Sequence, residues 1–297
     1  MSSSPHTPKS IALITPSYGP DLELCRDLRD SVLRFTSTSV EHFIIVPRAD
    51  RSAFSDLSGH RTFVREVDEF LPKSMMKMPK VNVWLNIRWP IPPIRGWIAQ
   101  QIVKLAAAAS MTTDVVLLID SDVILIRPVD AESFSPLGQV QLFEAIGAID
   151  GTLPRHRLWH AAARRLLGLP RLEADLLPDY VCWPCAWEPS VVRQMLGRVE
   201  SSTGLPWQTA LARELHFSEM ILYGVFVREI LGVSMPLTLT SSMRCVNHFD
   251  ETALTRESMK ALLRSVGRTD FAVMVSAKSE TPLDLRRELF REFCPPA

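Results

Sequence analysis

Five consecutive apolar residues, Val115-Val116-Leu117-Leu118-Ile119, run directly into Asp120-Ser121-Asp122. A strand whose side chains are apolar in both directions leaves no face for water, so it must lie inside a sheet covered on both sides. Side chains two apart on a strand share a face, and this spacing predicts that Asp120 and Asp122 converge at the strand's carboxyl end. Two neighbouring carboxylates repel, and a divalent cation relieves that repulsion. Hard oxygen ligands suit Mg²⁺ or Mn²⁺, which keep positions open for substrate phosphates.

The flanking segments fit the same architecture. Ile11 to Pro16 reads as a strand broken by Ser17-Tyr18-Gly19-Pro20, and a helix from about Asp21 to Phe35 follows. His42 to Val46 and Thr62 to Val67 read as further strands, and this alternation predicts a mainly parallel sheet flanked by helices. Lys73 to Pro93, rich in Lys, Met and Trp and ending in Trp-Pro-Ile-Pro-Pro, reads as a mobile loop able to fold over a bound molecule. A helix then runs to about Ser110, with Trp97, Gln101 and Lys104 on one face. A basic helix spans Pro154 to Leu167, a capped one Ser218 to Leu231, and two terminal helices flank a strand at Phe271 to Val275.

With 297 residues, 46% of them hydrophobic, the chain can bury a large core. Its 33 basic and 33 acidic residues cancel, which points away from nucleic acid as a partner. No apolar run approaches the roughly 20 residues of a membrane span. The polar start lacks a secretory apolar segment, and five cysteines suit a reducing compartment, so a cytoplasmic protein is expected.

Other residues offer chemistry. His248 can donate an imidazole nitrogen to a metal. Cys182, Cys185, Cys245 and His248 have the ligand types of a zinc site, but not its compact spacing. Arg95, Gln101 and Lys104 can neutralise a diphosphate or cap base carbonyls. Glu219 suits either a helix start or a general base. The cations between Arg155 and Arg165 could meet an anionic membrane or a lipid-linked phosphate. An EF-hand is excluded, since the required glycine and distal glutamate are absent.

Thr15-Pro16-Ser17-Tyr18 after the first strand, together with the strand ending in Asp120-Ser121-Asp122, resembles glycosyltransferases of the GT-A fold. Arg95-Gly96-Trp97, Gln100-Gln101, Lys104-Leu105, Ser218-Glu219 and Leu222-Tyr223-Gly224 are similar to a family of uncharacterised bacterial proteins assigned to that fold. The resemblance runs from about Ile11 to Phe249. It implies a catalytic domain over 10–250, with a donor half to about 128 and an acceptor half beyond it. A disordered stretch 1–9 precedes this domain, and a helical extension 251–297 packs on it. It implies transfer of a sugar from a nucleotide-sugar donor to a glycan or lipid-linked acceptor, in bacterial surface polysaccharide or glycoconjugate synthesis. Thr15, Pro16, Tyr18, Arg95, Gln101, Lys104, Asp120 and Ser121 would bind the donor. Asp120, Asp122 and His248 would hold Mn²⁺ or Mg²⁺, while Glu219 and Asp122 serve catalysis. The protein would work in the cytoplasm or at the inner face of the membrane, touching it through the Arg155–Arg165 helix. Two rivals are a phosphatase of the haloacid dehalogenase type and a silent nucleotide-sugar-binding protein of the same fold. The phosphatase pattern wants Gly-Thr after the doublet, where Val123-Ile124 stands.

Overall fold

The computed structural model describes residues 9–78, 81–136, 139–233 and 237–295. The expected disordered stretch 1–9 lies outside these residues, except for Lys9. The chain opens with strand β1 (Ile11–Pro16), helix α1 (Leu22–Phe35), β2 (Glu41–Val46) and β3 (Thr62–Glu66). Three short strands follow, β4 (Met75–Lys77), β5 (Val83–Asn86) and β6 (Trp89–Arg95), before helix α2 (Gly96–Ser110). Next come β7 (Val115–Leu118) and β8 (Val123–Leu125), then β9 (Leu142–Phe143), β10 (Ala145–Ile149), α3 (Pro154–Leu166), β11 (Leu177–Asp179) and β12 (Cys185–Trp187). Helices α4 (Pro189–Thr203), α5 (Trp207–Ala212) and α6 (Glu219–Glu229) precede β13 (Leu239–Thr240) and β14 (Cys245–His248). Helix α7 (Arg256–Arg264), β15 (Ala272–Val275) and α8 (Leu283–Phe293) close the chain.

The central sheet has the order β12-β7-β1-β2-β3. Four strands run parallel, and β12 joins β7 antiparallel. This is the mixed, mainly parallel α/β sheet that the apolar run demands. Alternation along β7 sorts its side chains between two cores, as a doubly covered strand requires. Val116 and Leu118 join Ile14 in the core under α2, α4 and α6. Val115, Leu117 and Ile119 join Leu13, Leu28 and Val32 on the α1 side.

Two expectations need correction. The Lys73–Pro93 segment is not a structureless loop: β4, β5 and β6 form an antiparallel sheet in that order. Its prolines are tolerated because β6 is an edge strand, where a missing N–H breaks no ladder. The part past residue 250 is also more than an outer helical layer. Strand β15 is the middle member of a sheet β14-β15-β8. The terminal helices are present, but that strand is built into the domain.

Among the described residues, no helix is long and apolar enough to cross a membrane. Most cations of α3 are engaged within the protein. Arg157 donates to the carbonyls of Ala174 and Asp175 at 2.7 and 2.9 Å, and Arg164 holds Glu229 and the Pro170 carbonyl. Arg165 pairs with Glu214.

Helix α6 lies so close to Tyr180 that Gly224 is obligatory, since an added Cβ would fall inside the Tyr180 ring. Gly224→Ala is therefore expected to destabilise the fold by about 1–3 kcal/mol through overpacking, despite alanine's better helix propensity. Urea denaturation at neutral pH checks this, and a stability gain would contradict the packing.

Candidate functional site

Strand β7 ends at Leu118, and the chain leaves the central sheet to enter the second one at Val123. Asp120-Ser121-Asp122 thus occupies a turn between two sheets, closed by the Val123 N–H on the Asp120 carbonyl at 3.2 Å. The two carboxylates are not set side by side by strand alternation, as the spacing predicted, because the strand stops before them. Each has its own partners instead. Asp120 Oδ1 lies 3.1 Å from Lys104 Nζ, and its Oδ2 accepts from the Trp183 indole N–H at 2.8 Å. Asp122 Oδ2 accepts from the Ala277 backbone N–H at 2.9 Å.

Their charges still meet. Burial pushes the Asp122 carboxyl up to about 6, with the charges of Asp120 and Asp21 adding to the effect and the Ala277 N–H opposing it. Asp21, in the turn after β1, is likewise pushed up to about 6 by burial and then by Asp120, against the pull of Arg286. Arg286 is buried and donates to the carbonyls of Val275, Ser276 and Thr281, fixing the loop that carries Ala277.

Lys104 is the counterweight. Its ammonium reaches Asp120 and, at 3.4 Å, Glu219 Oε1. Burial alone would lower its pKa, but the two carboxylates outweigh this and hold it above the ordinary lysine range. Glu219 is buried at the first position of α6, behind the Ser218 cap, and its N–H donates to Gln101 Oε1 at 2.8 Å. Glu219 therefore faces Lys104 and Gln101 rather than open space. It acts on the site through the lysine.

Beside the turn lies a cleft of about 660 Å³, lined by Pro16, Ser17, Tyr18, Ile45 and Pro47 at the carboxyl ends of β1 and β2. The Ser121 hydroxyl donates to Ser17 Oγ at 2.9 Å and so joins turn to cleft. The strand order reverses direction between β1 and β7, the point at which open α/β sheets bind ligands. Trp97 and Gln100 of α2, with Lys77 and Lys278, form other walls. Gly96 opens α2 there, with the exposed Asn82 side chain packed against its Cα. A helix start and two lysines give this rim a positive bias, with Asp50 the acidic exception.

The remaining predicted residues divide. Pro16 and Tyr18 line the cleft; Ser121 is buried beside it. Thr15 is fully buried, its hydroxyl 2.8 Å from His42 Nε2, and cannot reach a ligand. Gln101 is buried under Trp97 and engaged with Glu219, so its neighbour Gln100 takes the lining position. Arg95 is exposed at the start of α2. His248 ends β14 beside Val275, but its Nε2 lies 3.0 Å from the Thr252 carbonyl. Among the described residues, no three His, Cys, Asp or Glu side chains form a ready metal cage. Cys182 and Cys185 belong to a different core from Cys245, which removes the zinc arrangement.

Asp21, Asp50, Trp183, Lys278 and Arg286 were missed. Asp21 had a positional signal, standing just past the carboxyl end of β1. Lys278 and Arg286 lie beyond the recognisable motifs and had none.

With this geometry in view, a family model matches residues 10–266. The chain belongs to DUF6492, a family of unknown function. A search of the curated proteins finds no match. This DUF6492 chain thus has its turn, Lys104 and the cleft walls other than Lys278 within the matched span, and the loop that carries Val275, Ala277 and Lys278, with Arg286, outside it.

Two outcomes test the electrostatics. Lys104→Met leaves two carboxylates uncompensated and is expected to cost about 3–5 kcal/mol in denaturation, with Glu219→Gln in the same chain recovering part of it. For Asp21, the folded carboxyl titrates near 6 and the unfolded one near 3.8. The folded state holds the extra proton between those values, so stability falls as pH rises through that window. Asp21→Asn escapes this loss and should exceed the natural chain by on the order of 1 kcal/mol at pH about 7.5, and match it near pH 4. Denaturation curves at both pH values decide it.

Proposed function

We propose that this chain is a GT-A glycosyltransferase, moving a sugar from a nucleotide-sugar donor to a hydroxyl acceptor on a glycan or lipid carrier. The observation that carries the reading is the joining of the Asp120-Ser121-Asp122 turn, at the sheet's switch point, to the cleft at the carboxyl ends of β1 and β2, through the Ser121–Ser17 hydrogen bond. Tyr18 and Trp97 are large, half-exposed aromatic faces on that cleft, suited to stacking on a nucleobase. Lys77, Lys278 and the start of α2 suit the phosphates.

The fold class implies Mn²⁺ or Mg²⁺. The donor chemistry fits, because burial, and after it the charge of Asp120, raises the proton affinity of Asp21 and Asp122, and a cation would relieve both. Mg²⁺ commonly takes only one or two protein carboxylates and completes its shell with phosphates and water, so a three-residue cage is not required. Asp120 and Asp122 would hold the ion, which would offset charge developing on the leaving diphosphate. Lys104 and Trp183 keep Asp120 oriented, and Glu219 keeps Lys104 in place. The Arg286-pinned loop orients Asp122 through the Ala277 N–H.

Calorimetry with a panel of nucleoside diphosphates and their sugars, with and without Mn²⁺, tests the reading. One nucleotide class should bind in a cation-dependent way. Asp122→Ala should erase that dependence while the thermal midpoint stays close to that of the natural chain. Tyr18→Ala should weaken nucleotide binding by roughly five- to a hundredfold, the range for one lost stacking platform. Cation-dependent binding with no turnover would instead favour a silent binding protein. Phosphate release from p-nitrophenyl phosphate without nucleotide binding would favour a phosphatase.

A further inference from the structure

The chain balances acids against bases overall, yet between Phe70 and Thr113 it contains no Asp or Glu at all. The same stretch carries Lys73, Lys77, Lys80, Arg88, Arg95 and Lys104. Lys104 is buried and paired, whereas Lys73, Lys77, Arg88 and Arg95 are exposed and, among the described residues, pair with no carboxylate. This is where β4, β5 and β6 form their small sheet.

That sheet also exposes apolar side chains. On β4, Met75 turns in while Met76 faces out at 56% exposure, and at the β5–β6 turn Ile87 is 64% exposed. Met78 is exposed next to them, and Trp89 is exposed at the same hairpin end, across from Asn86. Methionine, isoleucine and tryptophan interleaved with unpaired cations are what a surface needs to enter the headgroup region of a bilayer. The apolar groups leave water, and the cations meet lipid phosphates. Strand addition by a protein partner is disfavoured along β6, where Pro90, Pro92 and Pro93 supply no N–H donors.

We infer that the outer face of the β4–β6 sheet docks on an anionic lipid bilayer. It takes the role the Arg-rich helix α3 was expected to play, since most of the α3 cations are engaged internally. The inner side of the same sheet supplies Lys77 and Trp84 to the cleft, so docking holds a wall of the cleft close to the lipid surface. The inference goes beyond the sugar-transfer reading and stands independently of it, because it requires no nucleotide.

The test is co-sedimentation of the full chain, without nucleotide, with vesicles of phosphatidylcholine alone or with about a third phosphatidylglycerol. Binding should rise at least tenfold with the anionic lipid and collapse in about 0.5 M salt, where screening is short-ranged. Lys73→Gln with Arg88→Gln should lower it by tenfold or more, each cation contributing about fivefold. Met76→Ser, Ile87→Ser and Trp89→Ser together should lower it at least as much, with unchanged circular dichroism and thermal midpoint. Arg155→Gln on α3 should change it little. The inference is overturned if the natural chain stays in the supernatant with both vesicles, binds both equally, or binds undiminished in both variants. Self-association in sedimentation velocity that the triple variant abolishes, without vesicle binding, would assign this face to a second copy and also overturn it.

Discussion

An ammonium group removed from water loses several kcal/mol of hydration, and Lys104 regains it from two carboxylates that arrive from separate parts of the chain. Asp120 comes from the turn after β7 and Glu219 from the start of α6, while Lys104 lies midway along α2. Three elements are therefore tied at one point by charge. The arrangement leaves little freedom, since a shift of any element strands a charge in a dry interior. Gln101, about one helical turn before Lys104, adds a neutral bond to the same junction by accepting the Glu219 N–H. Glu219 thus links helix α6 to the Asp120 carboxylate without touching open solvent.

The second constraint is the change of sheet at Ile119 to Asp122. Leu118 still pairs with Ile14 and Cys185, whereas Val123 pairs with Met274. A chain that ends one ladder and begins another within four residues exposes backbone and side chains at the gap. The segment beyond residue 270 closes it: Val275 N–H reaches the Asp122 carbonyl at 3.2 Å, and Ala277 N–H reaches its carboxylate. Arg286 then fixes that closing loop by its carbonyls. The segment from Val275 to Arg286 thus holds the turn from beyond the family match.

Much of this could be read from residue pattern, for definite reasons. The β7 run was legible because side chains packed on both faces admit only apolar types, and that alone implied a covered parallel sheet. The α2 stripe and the caps of α6 were legible because helix periodicity and end chemistry are local. The β4–β6 sheet was not, since its strands are short and its prolines mimic a loop until the edge position is known. The roles of Gln101 and Glu219 were also hidden. Both are polar residues with a local explanation, and only the long-range approach of α2 to α6 makes them each other's partners. Lys278 and Arg286 make their own bonds within the C-terminal part, and the Ala277–Asp122 bond, 155 residues apart in the chain, brings their loop to the site, which no local spacing encodes.

Around the Asp-x-Asp turn, Asp21, Asp120, Asp122 and Glu219 face two cations, Lys104 and Arg286. Four acids stand against two bases, and burial first, then the charge of Asp120, pushes the carboxyls of Asp21 and Asp122 up to about 6. A fold selected for stability alone would have no use for that surplus, because asparagine would keep the hydrogen bond to Ala277 without the repulsion. The excess makes physical sense if positive charge is delivered from outside, by a divalent ion shared with phosphates lying along the rim of Lys77, Lys278 and the start of α2. On the proposed reading, the stability given up near neutral pH is the cost of keeping these carboxylates free to take up that charge.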